Sequence, residues 1–270
     1  MPRLFSSPLA TFGRFVPKDL GSRRIAHDLA YGGDPRQRLG LFAPRAASDE
    51  PLPAILFFYG GSWRSGFREG YEFVGRALAA QGFLVGIADY RQIPDGRFPI
   101  FLEDCAAAAR WLLANAPEHG GRPGSLVLMG HSAGAYNAAM LALDPQWLGA
   151  DHARIGAWVG ISGPYVFGRP NAVTKAAFGP RGPAKDAQPI NLASAASPPA
   201  LLLHGGRDTI VLPRSSEEMG RRLRNAGVSA AVKVYPQLDH IAPVGVFALP
   251  FRSRSSLFGD AVAFCRSHTG

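Results

Sequence analysis

A chain of 270 residues that is 47% hydrophobic and only 18% charged can bury one large core, which excludes an intrinsically disordered protein. Its net charge of +9 sits on the flanks: residues 1–45 hold 8 basic side chains against 3 acidic, residues 214–270 hold 8 against 4, and residues 46–213 balance at 13 each. No basic helix, zinc-finger spacing or RNA-binding aromatic pair accompanies that charge, so a nucleic-acid reader is excluded, and two cysteines, Cys105 and Cys265, are too few for a disulfide framework or a cysteine-based zinc site.

Residues 1–23 read as an N-terminal arm. Arg24–Tyr31 and Arg38–Phe42 form an opening pair of strands, joined by the turn residues Gly32, Gly33, Asp34 and Pro35. Ala54–Phe58 is apolar throughout, as a strand covered on both faces should be. A helix is predicted over Tyr71–Gln81, ending at Gly82, then a strand at Phe83–Asp89. Pro99–Ala116 has the spacing of an amphipathic helix with Phe101, Cys105, Ala108 and Leu112 on one face, closed by Pro117. Ser125–Met129 reads as a strand, Ala133–Leu143 as a helix and Ile155–Ile161 as a strand. Residues 163–197 break the alternation with five prolines and leave room for little more than a short helix. A long irregular segment inside a compact domain suggests a lid or binding loop. Strands at Ala200–His204 and Ala230–Tyr235 flank a helix at Arg214–Ala226, and Ser256–Ser267 is the final helix. Two opening strands followed by repeated β-α units predict an α/β protein. Its central sheet should be mostly parallel, with about eight strands and helices on both faces, in a single domain over residues 1–270.

Neither apolar stretch of the chain reads as a membrane element. Leu4–Gly13 is too short and broken for a signal-peptide core. The uncharged run Pro123–Leu143 is interrupted by Gly130, His131, Ser132, Gly134 and Asn137. A cytoplasmic protein with two reduced, buried cysteines is the expectation.

Between a predicted strand and a predicted helix lies Gly130-His131-Ser132-Ala133-Gly134. A G-x-S-x-G turn in that context forces the serine into a strained backbone that lifts its hydroxyl above the sheet. The plainer reading makes Ser132 a helix N-cap. A serine hydroxyl needs a general base to attack at neutral pH. His240 lies just past the last strand, where the C-terminal edge of a parallel sheet would bring it above Ser132. His204, at the end of a strand, is the second candidate, and His131 should point away along the turn. Asp208 follows the preceding strand in His204-Gly205-Gly206-Arg207-Asp208 and would orient the base. Asp239 is its rival, hindered by being adjacent to His240. Tyr59-Gly60-Gly61-Ser62-Trp63 follows the strand Ala54–Phe58. Backbone N–H groups of Gly61 and Ser62, joined by that of Ala133, are the expected oxyanion hole, against the alternative of a plain Gly-Gly turn.

Taken together these residues resemble the α/β-hydrolase family, in particular its hormone-sensitive-lipase-like carboxylesterases and arylformamidases. The resemblance runs in order through Gly60-Gly61-Ser62-Trp63, Ala88-Asp89-Tyr90-Arg91, Gly130–Gly134, Gly205-Gly206-Arg207-Asp208 and Asp239-His240, over about 180 residues. The order Ser…Asp…His is that of the fold. Tyr59 departs from the pattern, because the family has histidine there. The resemblance implies the α/β-hydrolase fold and a triad of Ser132, His240 and Asp208. It also implies a carboxylic ester hydrolase working through an acyl-enzyme. Residues 163–197, at most a short lid broken by five prolines, leave too little regular structure for a long acyl tunnel and predict short-acyl substrates. Trp63, Tyr90, Tyr165, Phe167 and His131 are expected to bind substrate. No cofactor and no metal is implied, since the chain has no H-E-x-x-H and no cluster at ligand spacing. The expected partner is a small-molecule ester, with neither nucleic acid nor a membrane span; a homodimer stays open. Two alternatives remain at this point: an arylformamidase sharing every catalytic residue, and a hydrolase fold kept as a non-catalytic binding module.

Overall fold

A computed structural model describes residues 8–269. In chain order its elements are α1 (Pro8–Phe15), β1 (Ser22–Ala30), β2 (Arg38–Pro44), β3 (Leu52–Phe58), α2 (Glu72–Ala79), β4 (Leu84–Ala88), α3 (Ile100–Asn115) and β5 (Gly121–His131). Then come α4 (Ala133–Leu143), β6 (Ile155–Ile161), α5 (Ala172–Phe178), β7 (Ala200–Gly205), α6 (Arg214–Asn225), β8 (Ala230–Tyr235), α7 (Ala242–Gly245) and α8 (Leu257–Ser267). One sheet takes all eight strands in the order β1-β2-β4-β3-β5-β6-β7-β8. β2 pairs antiparallel with both β1 and β4, and every other pairing is parallel.

The apolar runs form the centre of this sheet for a simple reason. Residues 55–58 of β3 and 126–129 of β5 are fully buried, because right-handed crossovers lay helices on both faces. α3 carries the chain from β4 across β3 to β5 and packs beside α4, with Phe101, Cys105, Ala108 and Leu112 all buried. Arg266 of α8 reaches the Gln81 carbonyl just beyond α2, which ties those two helices together. From β3 the chain turns one way to β4, then returns to place β5 on the other side of β3. The C-terminal ends of β3 and β5 therefore bracket the topological switch point, where open α/β sheets leave a crevice for ligands. The loops carrying Gly60–Trp63 and Ser132 both start there.

Some boundaries differ from those expected. β5 starts at Gly121 rather than Ser125, since its first residues still pair with Leu52 of β3. A single 3₁₀ turn, Arg68–Tyr71, precedes a shortened α2, and α7 was not foreseen. The N-terminal arm, residues 1–23, holds more structure than its name suggests. Phe12 of α1 meets the Phe73 ring edge-on at 5.6 Å, Asp19 pairs with Arg252 at 2.8 Å, and Ser22 already belongs to β1. Residues 1–7 lie outside the described residues. Within residues 163–197, α5 is opened by a reciprocal capping box between Asn171 and Thr174, and two 3₁₀ turns follow.

Candidate active site

Ser132 occupies the turn between β5 and α4 at φ 54°, ψ −120°. A non-glycine residue in that region costs about 1–3 kcal/mol and persists only where its surroundings impose it. Here they do. The Ser132 N–H is held by the Ile161 carbonyl at 2.8 Å. A Cβ at Gly130 would lie 2.1 Å from the Gly134 carbonyl oxygen, and one at Gly134 would lie 2.0 Å from that of Phe58. Strand and helix thus approach too closely for side chains at either position. The Ser132 hydroxyl makes no capping bond to α4, so the N-cap reading of this serine fails.

That hydroxyl lies 2.9 Å from His240 Nε2, and His240 Nδ1 lies 2.7 Å from Asp208 Oδ2. Since a carboxylate only accepts, Nδ1 carries the proton and Nε2 presents a lone pair to the serine hydroxyl. Asp208 is fixed by four donors. Its Oδ1 accepts from the Ile210 and Val211 N–H groups, both at 2.9 Å, and its Oδ2 accepts from His240 and also from His204 Nε2 at 3.1 Å. Burial alone would raise this carboxyl, but the hydrogen bonds from His204, His240 and Val211 outweigh it and hold Asp208 well below the usual carboxylate range.

The rival groups are engaged elsewhere. Asp239 Oδ1 accepts from the N–H groups of Ile241 and Ala242, both at 2.9 Å, at the start of α7. His204 is fully buried; its Nε2–H serves the Val211 carbonyl at 2.8 Å as well as Asp208, and its Nδ1 faces Ser216 Oγ at 2.7 Å. It does not reach Ser132. The sequence signalled this residue only as a second candidate base, whereas the structure makes it a second donor to Asp208.

His131 corrects an expectation. It is 1% exposed and is not among the residues that line the cavity, because its ring is engaged by the His240 carbonyl and Tyr71. Its Nε2–H donates to the His240 carbonyl at 3.0 Å, and its Nδ1 lies 3.5 Å from Tyr71 Oη, which in turn accepts the Gly60 N–H at 3.3 Å. The oxyanion loop and the backbone of His240 are thereby joined through one buried imidazole. Burial, with the neighbouring His240 adding to it, lowers the His131 pKa to about 3, so the ring is neutral.

Around Gly60 the chain turns sharply, with Gly61 at φ 133° and Ser62 and Trp63 at φ 55° and 57°. Only glycine takes the first of these readily. The N–H groups of Gly61, Ser62 and Ala133 donate to no acceptor among the described residues, and Ser62 and Ala133 line the cavity beside Ser132. Gly61 itself is not among the lining residues. Three tyrosines brace this loop. Tyr59 stacks between Tyr71 and Tyr90, at 5.7 and 4.9 Å between ring centroids, and Tyr90 Oη donates to the Tyr59 carbonyl at 2.9 Å. The Tyr59 hydroxyl donates to buried Asp89 at 2.8 Å, whose other oxygen pairs with Arg68. Tyr59 thus fills the family's histidine position as a buried strut, outside any proton-transfer path.

The cavity over Ser132 holds about 520 Å³. Its inner wall includes Ser62, Trp63 and Ala133, and residues 164–174 supply much of the rest, Phe167 among them. Trp63 is held by a hydrogen bond from its Nε1–H to Asn137 at 3.0 Å and stacks on Phe101 at 5.5 Å. Of the five residues expected to bind substrate, Trp63 and Phe167 therefore line the cavity, while Tyr90, Tyr165 and His131 do not. Tyr90 is spent on the oxyanion loop, and Tyr165 is buried edge-on against Trp158 at 5.7 Å. Asn137 was not foreseen, because its contact with Trp63 joins residues 74 apart. Among the described residues no group of histidine, cysteine and carboxylate side chains could hold a metal ion, and no helix is long and apolar enough to cross a membrane.

Residues 39–153 match the BD-FAE family and residues 166–264 the prolyl oligopeptidase family. The chain is 29% identical over 245 residues to a probable isoprenylcysteine alpha-carbonyl methylesterase of Oryza sativa subsp. japonica, covering 81% of this chain and 58% of that protein. It is 32% identical over 231 residues to Esterase LipC of Mycobacterium tuberculosis, covering 76% of this chain and 57% of that one. The chain thus spans less than two thirds of the length of either curated relative. Among solved structures, the carboxylesterase EstE1 from a metagenomic library superposes with a TM-score of 0.79 over 97% of this chain and 93% of its own, at 22% identity. At that identity the likeness establishes a shared fold.

Proposed function

For this chain, an α/β hydrolase of the serine-esterase type, we propose hydrolysis of small carboxylic esters through an acyl-enzyme on Ser132. The observation that carries the reading is a single imidazole, His240, hydrogen-bonded to Ser132 on one side and Asp208 on the other, beneath a cavity with unpartnered N–H groups. As Ser132 Oγ attacks the acyl carbon, its proton passes to His240 Nε2, and Asp208 stabilises the imidazolium that forms. Negative charge develops on the former carbonyl oxygen, where the N–H groups of Ser62, Ala133 and Gly61 can receive it. Collapse of the tetrahedral intermediate breaks the C–O bond, and the His240 proton leaves with the alcohol. Water then repeats the sequence on the acyl-enzyme and releases the acid. An intact set of three groups argues against a mere binding module, which needs none of them. Relatives named as esterases favour ester over formamide.

Residues 163–197 act in this reading as a short lid, supported by the share of the cavity lined by residues 164–174. The whole chain works as one domain. Two buried, unpaired cysteines support a reducing compartment, the cytoplasm. The acyl group should be short. Trp63, Phe101, Tyr136 and Phe178 pack ring against ring at the inner end, so a longer chain must displace packed side chains at about 1–3 kcal/mol while each methylene that fits gains about 0.8. The test is kcat/KM across p-nitrophenyl esters from acetate to palmitate, with N-formylkynurenine alongside. A maximum at about two to six acyl carbons and a steep fall beyond about ten is expected. Preference for palmitate overturns the short-acyl reading, and N-formylkynurenine outpacing every ester by about a hundredfold, about 2.7 kcal/mol, replaces the ester reading with a formamidase.

A further inference from the structure

The lining of the cavity is not aromatic throughout. Asn171, Thr174 and Ser215 belong to it, but their polar groups are already used. Asn171 and Thr174 bond each other in the cap of α5, and Ser215 Oγ bridges the Tyr165 N–H and the Gly163 carbonyl at 2.8 and 3.0 Å. Arg169 and Arg214 also line the cavity; both are exposed, and among the described residues neither guanidinium group has a hydrogen bond or ion pair. Glu218 also lines it, one turn along α6 from Arg214, yet makes no ion pair with it. Two arginines therefore line the cavity against one acidic side chain. The charge of the surrounding segment has the same sign: residues 163–197 carry Arg169, Lys175, Arg181 and Lys185 against Asp186 alone.

Two free cations on the wall of a substrate cavity are open to a ligand anion, and guanidinium forks match carboxylates in geometry. We propose that the preferred substrates are esters that also bear a carboxylate, half-esters of dicarboxylic acids or esters of hydroxy acids, held by Arg169 and Arg214 while Ser132 attacks the ester carbonyl. The inference rests on the esterase reading above and adds its substrate class. Catalysis is unchanged in kind; the arginines bind the group that does not react, and Glu218 repels it. A neutral ester of the same size leaves both guanidinium groups solvated and gains nothing from them.

The experiment compares kcat/KM for matched pairs. On the acyl side p-nitrophenyl hemisuccinate is set against p-nitrophenyl valerate, and on the alcohol side 3-acetoxybenzoate against phenyl acetate. At low salt the anionic member of at least one pair should lead by about two- to fivefold, the upper part of the range for an exposed charge pair, and the leading pair tells which end of the ester carries the charge. The lead should shrink as ionic strength rises to about 0.5 M. It should fall to near parity in the doubly substituted Arg169→Gln, Arg214→Gln protein and grow in Glu218→Gln, each ratio being taken within one protein so that losses of folding cancel. Neutral esters turned over with no anionic preference in either pair overturn the inference and leave the esterase reading standing. No turnover of any of the four overturns both.

Discussion

Asp208→Asn isolates the role of one carboxylate within an otherwise preserved hydrogen-bond network. The N–H groups of Ile210 and Val211 both point at Oδ1, so the asparagine must keep its carbonyl oxygen there. Its NH₂ then occupies the Oδ2 position and faces His240 Nδ1 and His204 Nε2. His204 can still donate to the Val211 carbonyl at 2.8 Å. His240 cannot keep its tautomer: Nδ1 must become the acceptor, and the proton moves to Nε2, where it confronts the Ser132 hydroxyl. The loss comprises one charge-assisted hydrogen bond of about 1.5–3 kcal/mol and an unmatched buried donor of about 1–3 kcal/mol. Their sum brackets the roughly 10⁴-fold fall in kcat, about 5 kcal/mol, that a serine-protease triad shows on the same change. Measured on p-nitrophenyl acetate, kcat should fall by that order with little change in KM. The melting temperature should drop as well, because the hydrogen bonds that hold Asp208 low also stabilise the fold. Asp239→Asn should retain activity within about threefold, since Asp239 serves only the start of α7. Activity of Asp208→Asn within tenfold of the native protein, or a crippled Asp239→Asn, refutes the reasoning.

Two further outcomes follow from protonation. Asp208 is held low and His131 is neutral above about pH 4, so neither titrates in the usual assay range. The acid limb of the kcat/KM profile should then show a single-proton slope and survive His131→Gln; a two-proton slope contradicts the assignment. His131 should also register in stability. Its folded pKa of about 3 lies below the ordinary 6.5, so the unfolded chain binds the extra proton and stability falls as pH drops below 6.5. Urea unfolding between pH 6.5 and 5, above the range where Asp208 adds its own loss, should reveal a decline of up to about 1.4 kcal/mol per pH unit that His131→Gln removes. An unchanged slope in the variant rules out the buried neutral imidazole.

Much of this was legible in the residues because the decisive signals are local. Apolar runs such as Ala54–Phe58 read as buried strands, and glycines 130 and 134 around Ser132 announced a strand-to-helix turn that admits no side chain. Asp208 and His240 could be named because each follows a strand, and in a parallel sheet the strands deliver their C-terminal ends to one edge. What stayed hidden depends on contacts between distant residues. Tyr90 and Tyr165 sit in loops next to the site, as pocket residues do, but loop position does not say which way a ring turns; both turn inward. The Asn137 bond that holds Trp63, and the His131 link between Gly60 and His240, join segments that only the folded sheet brings together. His204 lies four residues before Asp208, a spacing visible in the chain, yet nothing local distinguishes a donor to that carboxylate from a competing base.

The central claim is that Ser132 is an activated nucleophile, and its most direct test is covalent. A fluorophosphonate probe should add once per chain, with the adduct mapped by mass spectrometry to the peptide containing Gly130–Gly134. Ser132→Ala should abolish that labelling while keeping the native melting temperature to within a few degrees. Labelling that persists in Ser132→Ala, or an adduct mapped to any other serine, would contradict the account.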